Sequence, residues 1–506
     1  MGIKTGRDTS EVIPLNVIMS LQSFKILKYS KIKENPILSA SVYYEIALRN
    51  KNNNSLRDLI DRQIIKGKEV GSDSYIYKSD KSFLRTKVLQ QDSFLLELTM
   101  ESCVPIIPQS FIEQNLKEGM VLVSKDSNIG EVAYLEKDYP DHMLSAGINA
   151  ITIKNMPFYV IAFLKHPFFK VQLNHKVPQG SIIKHAKDLY LDCKIPFPNN
   201  RVDETIHFVE EITKAIVRRE IAIRNKYAEM SNIYQQELIN NCKKSKFNYH
   251  FPKYSEIKQS SRLDSGIYEK EYLELIDLIK NYDKGFFTIP LDHIEGGSTP
   301  RPRIMGKGNK KWITPVSFNE FGYLADYEPI LCKESNITKD CAIIKNRTLK
   351  EKLGRHVGTA MFYNFSQFGL AHHSQGCYRI ENYLTDELKF IALTLNTILY
   401  RKICGFISLG GKMREIRSNQ FSSIPFPKFD DKTRHKLIER YDNDLTTGKK
   451  VTIKNFQSFD EKNLHNTGIL QLASQIVFLK SQLHNILDKI ITDEPIYHNI
   501  ISITMP

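Results

Sequence analysis

The chain has 506 residues, 41% of them hydrophobic and 25% charged, an ordinary balance that excludes wholesale disorder, and its length predicts two domains plus connectors rather than one core. Lys and Arg outnumber Asp and Glu, 71 to 57, for a formal net charge of +14. That excess favours a polyanionic partner, nucleic acid first and an acidic membrane surface second. Seven cysteines, with no Cys-x-x-Cys pair, argue against a disulfide framework or a cysteine zinc site and suit a reduced, cytoplasmic protein. The N-terminal stretch has no long apolar core behind a basic start, and no run approaches 18 apolar residues. Neither a signal peptide nor a membrane span is expected.

In chain order, residues 37–50 are the first helical candidate. Gly130 opens an apolar, β-prone segment, followed by a second at 148–155 (INAITIKN). A helical run covers 158–174, a turn follows at Gly180 and Ile182–Ile183, and the half closes on Lys194-Ile-Pro-Phe-Pro198. Residues 202–238 contain no Gly or Pro, and Val209, Ile212, Ile216, Ile223, Tyr227, Met230, Tyr234 and Leu238 keep to steps of three, four or seven. That predicts one helix of roughly 55 Å, long enough for a coiled coil. Residues 262–280 read as a helix after a polar linker. A strand and a Gly/Pro turn (TIPLDHIEGGSTPRP) and a second strand (KKWITPVSF) follow. Gly358 opens another apolar segment, with CYRIEN after it, then a helical run at 388–406, Gly410-Gly411, Ile416 and Ser423-Ile-Pro-Phe-Pro427. The polar stretch 442–467 reads as an insertion or flexible loop. Beyond it Ile469, Leu472, Ile476, Leu479, Leu483, Ile486 and Ile490 alternate by threes and fours, predicting a second long helix.

These elements repeat. The two Ile-Pro-Phe-Pro strings are 229 residues apart and Gly130 and Gly358 are 228 apart. Four features in one order at one offset predict a duplicated domain. The two long helices are expected to pair antiparallel, because the chain must return from the second domain to meet the first helix.

At this point the residues resemble the specificity subunits of type I restriction-modification enzymes and the related subunits of some type II enzymes. In the second half the resemblance rests on 262–280, on Gly296-Gly297-Ser298-Thr299-Pro300 followed by Trp312-Ile313-Thr314-Pro315, and on Gly410-Gly411 through Ile424-Pro-Phe-Pro427. In the first half it rests on Gly67-Lys-Glu-Val-Gly-Ser72, Phe83-Leu-Arg-Thr86, Gly119-Met-Val-Leu-Val-Ser124 and Asn128-Ile-Gly130. It covers about 60–500. The usual Gln after the closing Pro motif is absent from both halves. The resemblance implies an α+β chain: two similar mixed α/β target-recognition domains separated by long antiparallel coiled-coil helices, a pseudo-two-fold internal repeat. The expected divisions are 1–200 (first recognition domain), 201–245 (central spacer helix), 246–430 (second recognition domain), 431–495 (C-terminal spacer helices with the 442–467 insertion) and 496–506 (tail). It further implies a non-catalytic subunit that reads a bipartite, asymmetric site on double-stranded DNA. The partners would be methyltransferase subunits, two per chain, with restriction subunits as a further candidate. S-adenosylmethionine and ATP would bind those partners, and no cofactor this chain.

The residues agree with a non-catalytic role. There is no Asn/Asp-Pro-Pro-aromatic loop, no His-Glu-x-x-His, and Gly306-Lys-Gly-Asn lacks the ending of a phosphate loop. No catalytic or metal-ligating residue is expected, and His372-His373 reads as a surface or groove pair. Glu256-Ile-Lys258 is a common triplet in a linker. Phosphate contacts need Lys and Arg, and base edges need Arg, Lys, Asn or Gln. Near Gly/Pro turns the second half offers Arg301, Arg303, Lys307, Lys310 and Lys311 as one basic loop, then Lys412, Arg414 and Arg417. The first half offers Arg85, Lys87, Lys125, Lys184 and His185. Two other readings stand beside this one: a specificity subunit of a type IIB-like modification system, and a coiled-coil scaffold whose basic surface is incidental.

Overall fold

The computed structural model describes residues 48–99, 101–177, 184–243, 247–325, 327–347, 356–410, 413–496 and 502–505. The expected helix at 37–50, save its last three residues, lies outside them, as do Gly180, Ile182, Ile183, Gly411 and Lys412. The chain divides into two units: Met1–Glu220 with Thr447–Lys462 and Gln475–Pro506, and Ile221–Thr446 with Asn463–Ser474.

In the first unit β1 (Asn53–Ser55) pairs antiparallel with β9 (Lys194–Pro196), the strand carrying the first Pro motif. A four-stranded sheet has the order β2-β8-β5-β6, from Ile65–Lys66, Ile148–Ile151, Val121–Ser124 and Val132–Tyr134. A three-stranded sheet has the order β4-β3-β7, from Cys103–Pro105, Ser82–Leu84 and His142–Leu144, with β3 and β7 parallel. All residues of β5 and β8 are buried, as their nearly unbroken apolar character requires of strands covered on both faces. Leu84, Leu122, Ala133, Leu144 and Ile148 share one core cluster with Val88 and Leu135.

The second unit has the same plan. β10 (Phe286–Phe287) pairs with β18 (Phe426–Pro427), the second Pro motif. The four-stranded order is β11-β17-β14-β15, from Ile294–Gly296, Cys377–Ile380, Cys341–Lys345 and Ala360–Tyr363. The three-stranded order is β13-β12-β16, from Glu328–Cys332, Arg303–Ile313 and Ala371–His373, with β12 and β16 parallel. The segments opened by Gly130 and Gly358 are β6 and β15, and the ones that follow contain β8 and β17.

Each helical run expected before the Gly turn is two helices rather than one. Pro157–Lys165 and Pro167–Lys176 meet at His166, and Thr385–Asn396 and Ile398–Ile407 meet at Thr397. In the first, Pro167 has no N–H to donate and forces His166 into extended backbone, so the helix restarts with His166 capping it from Phe168 N–H at 3.2 Å. In the second, the β-branched Thr397 caps from Tyr400 N–H at 3.4 Å. The later pair is bent by 74°; together, though neither helix alone, the two are long and apolar enough to cross a membrane, and most of their residues are buried in the unit's core. Among the described residues no single helix passes that test.

The two long helices span Val202–Asn240 and Ile469–Thr492. All eight seam residues of the first and all seven of the second are buried. In the second unit Tyr234 packs on Phe429, Tyr400 and Phe390, so that part of the seam faces the body of its unit. The stretch 442–467 is not a flexible loop. It forms a strand, β19 (Lys450–Thr452), which pairs with β20 (Ser502–Thr504), and a helix, Phe456–Asn463. Few apolar letters mark it, yet Val451 and Phe456 are fully buried. Its Asp460 accepts from Arg218 Nε and Arg219 Nη2, both at 2.8 Å, while Arg219 Nε donates to Gln475 at 2.8 Å. Arg219 and Asp460 are each 1% exposed. A buried charge set of this kind persists only when fully paired.

Candidate nucleic-acid interface

In the second unit the expected basic loop is mostly strand. Residues 303–313 belong to β12, because Ile304, Met305 and Trp312 continue the extended pattern beside β13 and Ile313 beside β16. Met305 and Lys310 both stand opposite Ile330, so residues 306–309 leave the ladder as a bulge. Gly306 and Gly308 take φ of +74° and +101°, which only glycine adopts without strain. A Cβ on Gly308 would also lie 2.5 Å from the Ile330 oxygen.

The five cations split into two groups. Lys310 Nζ donates to the Cys332 and Lys333 carbonyls at 2.8 and 3.0 Å. Lys311 donates to the Phe368 carbonyl and lies over the Tyr327 ring at 4.8 Å, and burial lowers its pKa. These two brace the sheet. Arg301, Arg303 and Lys307 are exposed. Arg303 lies 5.8 Å over Trp312, which stacks at 5.7 Å on His372.

The histidine pair is not at the surface. His372 and His373 are β16 residues opposite Trp312 and Ile313, and both are buried. His372 Nε2 meets Ser298 Oγ at 2.9 Å. His373 has no hydrogen-bond partner for either ring nitrogen among the described residues, and burial pushes its pKa down to about 3. It is a neutral core side chain, and its place explains why: in the first unit the matching parallel pair is Leu84 opposite Leu144.

The remaining candidates lie at the joint after the broken helices. Arg414 is exposed and donates to the Gly405 carbonyl at 3.0 Å, at the last turn of Ile398–Ile407, where a cation complements the helix end. Arg417 is exposed. Sequence reasoning passed over Arg347, which bridges Glu415 at 2.9 Å beside them.

In the first unit all five candidates gather around Gly147. A Cβ there would lie 2.7 Å from Thr86 Cγ2 and 3.3 Å from Asp126 Cβ, so only glycine lets the two groups approach. On one side Arg85 donates to the Glu101 carbonyl at 3.3 Å and Lys87 to its carboxylate at 3.0 Å. On the other, Lys125 N–H donates to Gly147 O at 2.8 Å, and Lys125 O accepts from Ala186 N–H at 2.7 Å. Lys184 reaches Asn174 at 2.8 Å, and His185 Nδ1 lies 2.8 Å from Asp126 Oδ1. The Asp126–His185 pair of this unit stands where the other has Arg347–Glu415, with the carboxylate on the opposite member of the pair. Among the described residues no group of three or more His, Cys, Asp or Glu is placed to hold a metal.

No protein-family model and no curated protein matches the chain. Among solved structures it is similar to the S subunit of a type I restriction-modification system from M. genitalium, at 12% identity and a TM-score of 0.37, over 91% of this chain and 100% of that one. It is similar to the HsdS subunit from Thermoanaerobacter tengcongensis, at 12% identity and a TM-score of 0.27, over 88% and 97%. A third, from work on complex assembly and conformational transition of the type I R-M system, has 12% identity and a TM-score of 0.27, over 87% and 97%. Type I specificity subunits, the family the sequence resembles, are thus among its structural neighbours.

Proposed function

We propose that this chain is the non-catalytic DNA-specificity subunit of a type I-like restriction-modification system. The observation that carries the reading is one strand plan occurring twice, in the same order and with the same parallel pairing, under different exposed residues. A repeated framework with divergent surfaces suits a protein that reads two different half-sites. The +14 charge, the exposed Arg301, Arg303, Lys307, Arg414 and Arg417 of the second unit and the half-buried Arg85, Lys87, Lys125 and Lys184 of the first suit the phosphate contacts that set affinity and register. In this reading the two long helices pair antiparallel as a spacer that fixes the unread gap. Methyltransferase subunits, two per chain, supply S-adenosylmethionine chemistry, and restriction subunits, where present, supply ATP-driven cleavage. A type IIB-like system would use the same chain with another partner.

The test is methylation mapping of host DNA with the neighbouring methyltransferase expressed with or without this chain. A split motif present only with the chain is the expected result. Identical methylation in its absence would overturn the reading and favour a scaffold.

A further inference from the structure

Resting on that reading, we propose that two four-residue excursions, residues 77–80 in the first unit and 306–309 in the second, read the base edges of the two half-sites. They occupy one topological place. In the second unit Met305 and Lys310 leave and rejoin β13 at Ile330. In the first, Ile76 N–H donates to Pro105 O at 3.0 Å and Lys81 O accepts from Ile106 N–H at 3.0 Å, so the chain leaves and rejoins the end of β4 in the same way. Each excursion comes just before the stretch that pairs in parallel with β7 or β16. The two are offset by 229 residues, the offset of the Pro motifs, and each has lysine second, Lys78 or Lys307.

Their other side chains differ as a reader's would. The first excursion is Tyr-Lys-Ser-Asp and the second Gly-Lys-Gly-Asn. Tyr77 is 93% exposed, and Lys78, Asp80, Lys307 and Asn309 are all exposed. A two-stranded ribbon fits the major groove. Its edges match these groups: Asn to adenine, Lys to guanine, an acid to the cytosine amino group, and an exposed ring to a thymine methyl. Beyond Lys311 the β12–β13 ladder has such a form, since β16 pairs only with Lys311–Ile313. Arg301 and Arg303 flank it with the charge that a phosphate backbone attracts.

The experiment maps methylation for the assembled complex carrying Asn309→Ala or Lys307→Ala, and separately Asp80→Ala or Tyr77→Ala. All four sites are exposed, and a melting curve matching wild type confirms folding. The first pair should relax one half of the split motif at one or two base pairs, by roughly ten- to hundred-fold in discrimination. The second pair should relax the other half, each leaving its opposite half intact. An unchanged motif would overturn the proposal, and so would a uniform loss across all sequences with a shallower salt slope, the mark of a phosphate contact. If the wild-type chain conferred no split motif, the functional reading itself would fail, and this proposal with it.

Discussion

The two units differ most where their frameworks agree best. In both, a tyrosine hydroxyl latches the first Pro carbonyl of the Ile-Pro-Phe-Pro string, Tyr159 to Pro196 at 2.7 Å and Tyr400 to Pro425 at 2.6 Å. In both, the ring stacks on the following Phe, at 5.4 and 5.3 Å. Yet Tyr159 comes from the first helix of its broken pair and Tyr400 from the second. The contact is repeated while its source has moved. The histidines teach the same lesson: β16 carries His372-His373 where β7 carries Met143-Leu144, in the same register. A shared backbone plan fixes which positions are buried, and chemistry at those positions drifts within the limits of volume and charge.

The sharpest way to break the comparison is at the buried charge set of the first unit. Asp460→Ala strands two arginines, one of them fully buried, and should lower stability by about 3–5 kcal/mol in denaturant unfolding. A loss below 1 kcal/mol would mean that the 442–467 segment is an appendage. Next comes acid sensitivity. Folded His373 refuses a proton between its ordinary pKa of 6.5 and about 3, whereas the unfolded chain accepts one. Stability from this group is therefore whole above about pH 6.5 and falls by about 1.4 kcal/mol per pH unit below it. His373→Leu, which installs the first unit's residue, should flatten that slope between pH 6.5 and 5 in urea midpoints. An unaltered slope would show that His373 is not the titrating group.

Tyr159→Phe and Tyr400→Phe should each cost about 1–3 kcal/mol, since each leaves a buried carbonyl unpaired, and the two losses should be alike despite the different helices. Calorimetric losses differing by more than about 2 kcal/mol would show that the latches are not equivalent. The smallest effect belongs to the reversed bridge. Asp126→Arg with His185→Glu copies the polarity of Arg347–Glu415 and should change stability by less than about 1 kcal/mol, because both pairs are partly exposed. A larger change in melting would mean that the polarity matters to folding.

Much of the framework could be read in the sequence, and little of the site. The Pro strings, Gly130 and Gly358, and both long helices were visible because buried strands and heptads impose a period on apolar letters. Lys310 and Lys311 read as part of a free loop because a sequence shows charges but neither the strand they belong to nor the carbonyls they meet. His372-His373 looked exposed because their letters are polar and the parallel partner strand is remote in sequence. The segment 442–467 hid its two anchors, Val451 and Phe456, among polar neighbours. A signal for the excursions existed: the 229-residue offset aligns Lys78 with Lys307, and two glycines two apart inside a strand mark a bulge.

Trp312 is the only tryptophan in the chain, and it lies between Arg303 and His372 beside the bulged ribbon. The molecule therefore carries one indole fluorophore, beside the ribbon to which the proposed function assigns DNA contact. Excited at the red edge of absorption, where the 24 tyrosines contribute little, its emission reports on the second unit alone, so under the proposed function one cuvette would follow occupancy of that half-site with no added dye.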